Sequence, residues 1–489
     1  MWLLMLAPCP AARSQYHYDF NPTCRQAYDE IIRLKLDSGR SLIDREKKKD
    51  PENLIPHFLE NYIDFFTLFF NEDPAAYARL KPGEEKRLAL MKKGDPNSPF
   101  NLFTRSVIYF QWAAVDIKFG NRWDAAWSFR RSFLSGKENL EKFKGFPPSR
   151  MLQGAMQVAA GTIPPGYQWL ASLLGIQGTI GDGMNTLEQV LNGRDSLSLI
   201  FHDEAIFYFL YLKFHIQHEP AAVFNYIRQQ QLDIRNNHLF AYLAVNLSRN
   251  NQQAAEAEQI LHDVNPGTDY LDMPIWDLEM GYAKADHLDP QAAFYLERFL
   301  TRFKGKFYVK EVLQKLSWIY YLQDEQEKAN KARNRILREG NMETEADKQA
   351  YKDALSGRWP NKLLLRARLL DDGGYFHEAL QLLNGKSSAS FDNAADRLEF
   401  AYRLGRLYDA LDRKEEALAA YMTTIKLGEH RKEYYAARAA LQTGYIYEER
   451  GDRQTAIIWF RKVLDLKGHD YKNALDQKAK AGIERCSNG

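Results

Sequence analysis

Along this chain apolar residues recur at three- and four-residue steps, and no window sustains the alternation of a half-buried strand. Tyr28, Ile31, Ile32 and Leu36 set the step near the start, and Phe58, Tyr62, Phe65, Phe66 and Phe69 repeat it. A stripe with that period is the buried face of an amphipathic helix. Asp50-Pro51 and Asp73-Pro74 punctuate the stripes with the side-chain acceptor and fixed φ that start helices. The pattern predicts an all-α chain with essentially no sheet.

A longer period overlies the short one. Leu404-Gly405-x-x-Tyr408 is followed by Ala417 and Tyr421, and the order returns as Gly444-x-x-Tyr447, Gly451, Ala456 and Phe460. In both copies Gly-to-Ala is twelve residues and Ala-to-aromatic is four. A small residue on the first helix lets a second helix approach closely, and the second Ala marks the crossing. This spacing resembles the tetratricopeptide repeat, a helix-turn-helix unit that stacks into a superhelix. Weaker copies run upstream: Ser317, Tyr320 and Ala329; Gly281 and Ala293; Gly374 and Ala379; Gly120, Ala125 and Phe129; Ala222 and Tyr226; and a fainter one over 237–264. The expected architecture is an α-α superhelix of about ten or eleven such hairpins. Residues 15–150 read as degenerate N-terminal hairpins, 151–390 as degenerate central repeats and 391–489 as clear repeats.

One stretch departs from the period. Residues 154–193 hold Pro164-Pro165, an apolar run, and then Gly175, Gly178, Gly181 and Gly183, a Gly/Pro-rich turn over 161–183. Pro164-Pro165 is placed to start a helix. The order of two prolines, apolar helix and Gly-rich turn is similar to the middle of a eukaryotic tetratricopeptide family implicated in clearing protein inclusions. That resemblance implies a shared architecture. The glycines also allow an anion-binding loop, but Gly183-Met184-Asn185 stands where a nucleotide loop needs Gly-Lys-Ser/Thr. A hairpin turn is the expectation.

Charge narrows the function. The 489 residues carry 66 Lys+Arg against 64 Asp+Glu, without the concentrated basic face of a nucleic-acid binder. At this length the chain exceeds one ordinary core. Trp2–Ala7 is apolar and leads through small residues to Ala12-Arg13-Ser14, the look of an export signal over 1–14 with cleavage before Gln15. The expected location is therefore the periplasm or cell envelope. No other apolar run is long enough to span a membrane. Cys9, Cys24 and Cys486 are the only cysteines, too few for a disulfide framework, and free thiols are expected at Cys24 and Cys486.

Catalytic patterns are missing from the sequence. His215 and His218 lie beside Glu219, but His202 is thirteen residues upstream of His215 and would face another way. No nucleophile elbow, His-Glu-x-x-His or Cys-x-x-Cys occurs. No enzyme activity, cofactor or metal is expected. What remains is the concave surface, lined in stacked hairpins by the first helix of each. Positions three before, one after and four after the small residue should face inward. They give Tyr402, Arg406 and Asp409; Leu441, Tyr445 and Glu448, with Arg438 a turn earlier; and Gln314, Trp318 and Tyr321. Aromatic residues with Arg suit a binding surface, so Trp318, Tyr321, Tyr402, Arg406, Arg438 and Tyr445 are the candidate partner-binding residues, against the alternative that they pack helices together.

The leading expectation is an exported scaffold that binds a protein or extended peptide in its groove, and such a module should lack a deep polar pocket. The alternatives are an accessory subunit handling carbohydrate or lipid in an envelope complex and, least favoured, an enzyme, for which a cluster of perturbed acids in one cleft would speak. Partner identity and oligomeric state stay open.

Overall fold

The computed structural model describes residues 15–163 and 175–488. The proposed signal over 1–14, Pro164-Pro165 and the apolar run after them lie outside the described residues. The structure is 74% helical. Among the described residues two isolated bridges, Tyr16 to Gly94 and His17 to Asn53, are the only β-type pairings.

Helices pair in antiparallel hairpins along the chain. The clearest are Pro99–Lys118 with Arg122–Lys142, Val309–Leu322 with Gln326–Ile336, Ala394–Ala410 with Lys414–Gly428, and Tyr435–Glu449 with Arg453–Asp465. Packing follows the motif residues. A Cβ on Gly405 would stand 2.5 Å from the Tyr421 ring, and one on Gly444 2.5 Å from Phe460. Ala417 and Ala456 are fully buried at the crossings. Phe460 also presses on Gly482 of the last helix, Lys472–Asn488, so one aromatic joins its own hairpin to the next element.

Other start signals resolve differently. Asp73 caps Pro74–Leu80 by accepting from the N–H groups of Ala75 and Ala76, as its sequence suggests. Asp50-Pro51 instead ends a helix: Asp50 closes Leu36–Lys49, and the next helix, Ile55–Asn71, begins beyond a turn with its own Pro56. The glycines after 175 serve close approach. A Cβ on Gly183 would lie 2.5 Å from the Gly154 carbonyl, which lets Pro147–Gly161 and Ile180–Leu191 nearly touch. The Thr179 hydroxyl accepts from the Asp182 N–H, so the chain caps this helix start itself.

One continuous apolar core runs from Phe20 to Ala354, and separate clusters serve 364–407 and 402–486. A smaller cluster joins Trp318 to Leu365 and Leu369, so the packing continues across that interval. Part of that first core folds back on itself. Leu271 N–H donates to Leu34 O at 2.7 Å, Phe70 meets Tyr242 edge-on, and Lys118 pairs with Glu72 beneath Phe307 and Tyr308. Buried Glu204 accepts from Tyr28, Tyr62 and Tyr208. The N-terminal helices therefore lie against residues 201–308, and the open concave surface begins beyond them.

Candidate functional site

That open surface is a recess of about 800 Å³ whose walls run from Arg249 to Tyr471. Successive first helices supply it: Arg249 and Asn250, then Asp286, then Glu311, Gln314, Lys315 and Trp318, then Arg368 and Asp372, then Arg406 and Asp409, then Arg438 and Gln442. Two contacts narrow its rim. Gln252 donates to the Asp371 carbonyl at 2.6 Å, and Tyr471 donates to Gln349 at 3.0 Å.

Most charges in the walls are matched locally. Arg249 lies 2.6 Å from Glu279 and over the Tyr282 ring. Lys315 is 2.5 Å from Asp286. Arg406 is 3.2 Å from Asp371, which is fully buried and also faces Arg403 at 3.6 Å. Burial works against the Arg406 charge, but Asp371, Tyr402 and Asp372 outweigh it and its pKa is raised. Burial also lifts the Asp286 and Glu311 carboxyls above the usual range, against Lys315 for the first and against Arg249 and Lys315 for the second. Uncompensated charge in a low-dielectric wall would cost far more than these pairs do.

Arg438 is different. It lines the recess half-buried, and no ion pair or hydrogen bond holds its guanidinium among the described residues. Gln314, Gln349 and Gln442 add amides to three walls. No serine, threonine, cysteine or histidine lines the recess. Among the described residues no group of His, Cys, Asp and Glu could hold a metal ion, and His215 contacts Asn246 at 3.4 Å. Cys24 and Cys486 are buried free thiols.

The six candidate residues divide. Trp318, Arg406 and Arg438 come together in the recess, with Arg368 4.9 Å over the Trp318 ring. Tyr402 is a correction: it is 2% exposed and packs on Tyr434 and Tyr435, because the position three before the glycine points at the neighbouring hairpin. Leu441, at the same offset, is also buried. Tyr321 stacks on Trp359 at 4.6 Å, with Arg333 over the other ring and Lys362 over Tyr321. Tyr445 lies edge-on to Phe460. Neither Tyr321 nor Tyr445 lines the recess.

The residues that sequence offsets missed follow a neighbouring stripe. Lys315 and Gln442 stand two before their small residue, and Glu311 stands six before, the place that Arg438, already a candidate, holds in its own hairpin. Arg368 and Asp372 stand one and five after Ala367, which precedes Ala379 by the repeat's own twelve residues. Steps of three and four join these positions on one helix face.

A family model described as "Tetratricopeptide repeat" matches residues 398–427 and 437–470, the two hairpins built on Gly405 and Gly444. The chain carries tetratricopeptide repeats. No curated protein sequence matches it. Of the 34 solved chains that match, one is the TPR domain of P58(IPK), at 13% identity over 84% of this chain and 95% of that one. Its TM-score of 0.23 carries no argument, and the arrangement rests on the packing described above.

Proposed function

We propose that this tetratricopeptide-repeat protein is a non-catalytic scaffold that holds an extended polypeptide in the recess between Arg249 and Tyr471. The observation that carries the reading is the composition of its walls. They present charges of both signs and amides from several separate helices, spread along one continuous surface. A main chain needs donors and acceptors at intervals, and its side chains need charges to match, so a strand-like peptide fits better than one compact ligand. Arg438, without an acid of its own, is the group best placed to take a carboxylate from the partner.

The recess is polar, where an interaction module was expected to lack a deep polar pocket. That polarity supports a second reading, an oligosaccharide lying against the exposed Tyr471 ring with the amides binding its hydroxyls. Selection from a random peptide library against the full chain separates the two. The polypeptide reading expects selected sequences whose affinity falls at least about tenfold in Arg438→Ala, a loss of roughly 1.4 kcal/mol, with melting unchanged. A library that yields nothing, beside a glycan array that yields binders, favours the second. Export also belongs to the proposal, on the strength of residues 1–14 alone: protein from its native host should begin at or near Gln15. Recovery of that protein with Trp2 intact removes this part.

A further inference from the structure

The turn between Pro99–Lys118 and Arg122–Lys142 carries a feature that the recess does not explain. Trp123 is 82% exposed, Trp127 50% and Ile117 54%. Elsewhere the large exposed apolar residues stand mostly apart, but these three cluster at the tip of one hairpin and one of its helix faces. Trp123 and Trp127 are four apart and so lie one above the other. At the turn a Cβ on Gly120 would meet nothing within 4 Å, while Phe119 stacks on Tyr77 behind it. Around the aromatics are Arg122, 72% exposed and paired with Glu343, then Arg130 over the Trp127 ring and exposed Arg131. Asp124 is the single acid within this helix turn.

We infer that this tip, Ile117 with Trp123, Trp127 and their flanking arginines, is a docking foot for an anionic lipid surface. Two observations favour a membrane over a protein partner. The patch presents two exposed indoles four residues apart, and an exposed indole suits the headgroup region, where its ring is buried and its N–H stays hydrated. The arginines complement anionic headgroups, which attract basic side chains near the surface. Such a foot would hold the scaffold against a membrane surface. The inference does not depend on what the recess binds.

The test is co-sedimentation of the full chain with phosphatidylcholine vesicles, with and without phosphatidylglycerol. Wild type should bind the anionic vesicles, less as salt rises. The double variant Trp123→Ala/Trp127→Ala should bind at least about tenfold less while melting at the same temperature, since both rings are exposed. Arg130→Gln/Arg131→Gln should weaken binding to anionic vesicles only. No binding by wild type, or undiminished binding by the tryptophan variant, overturns the inference. Equal binding to neutral vesicles overturns its electrostatic half. A dimer by sedimentation velocity that the tryptophan variant dissociates, without vesicle binding, shows an interface between copies and overturns it too.

Discussion

Replacing Gly405 by alanine sets two effects of known sign against each other. In an exposed helix, alanine is favoured over glycine by about 1 kcal/mol. At Gly405 the added methyl would stand 2.5 Å from two carbons of the Tyr421 ring. That ring is fully buried, and its hydroxyl donates to Asp409 at 3.2 Å, so it cannot swing aside freely. Overpacking of this kind costs about 1–3 kcal/mol. The clash should therefore cancel the gain or win, for a net change between none and roughly 2 kcal/mol of lost stability. Tyr421→Leu removes the obstructing ring at a cost of its own. In that background Gly405→Ala should stabilise by about 1 kcal/mol, so the sign of one substitution turns on another residue. Urea unfolding of the four proteins, followed by far-ultraviolet circular dichroism, gives the coupling, expected at about 1–3 kcal/mol. A Gly405→Ala change that stabilises equally in both backgrounds would refute the claim that this glycine exists to admit the aromatic.

Three further outcomes are expected. Burial holds the Glu204 carboxyl above the usual range, against the lowering effect of its Tyr28, Tyr62 and Tyr208 hydrogen bonds; its contribution is full below the unfolded pKa and is lost as pH rises through the folded one. Glu204→Gln should thus gain on wild type from about pH 4 upward, and urea midpoints that part instead toward acid would contradict this. Asp347 is fully buried and accepts from the N–H groups of Tyr308 and Glu311 and from the Thr344 hydroxyl; Asp347→Ala leaves these donors unmatched and should cost roughly 2–4 kcal/mol by the same unfolding assay. Arg406→Ala should destabilise by roughly 1–3 kcal/mol because it strips a partner from buried Asp371, whereas Arg438→Ala should stay within about 0.5 kcal/mol; equal losses would show that Arg438 is also held in the wall.

How far the sequence carries depends on the range of the interaction. Gly405, Gly444, Ala417, Ala456, Tyr421 and Phe460 were legible because the spacing that marks them is itself the packing geometry of one hairpin. The inner face was legible at Arg406, Trp318, Gln314, Asp409 and Arg438, and one residue out of register at Tyr402 and Leu441, since a helix turns about 100° per residue. Arg368 and Asp372 were missed because their hairpin was anchored on Gly374, a left-handed turn residue with φ +87°, instead of Ala367. The matching of Arg249 with Glu279 and of Lys315 with Asp286 had no short-range signal: each joins different helices, 30 and 29 residues apart. The return of the N-terminal helices onto residues 201–308 was likewise invisible, because it depends on contacts such as Tyr28 with Glu204, 176 residues apart.

The recess itself is tested most directly by photo-crosslinking from its wall. Benzoylphenylalanine placed at Gln314 or Gln442, both lining the recess, is compared with the same group at Ile458 or Met422, both exposed outside it. With library-selected peptides and with the native envelope, adducts to polypeptide should form at Gln314 and Gln442 and be absent at Ile458 and Met422. Adducts confined to Ile458 and Met422, or none with polypeptide at the two recess positions, would contradict the account.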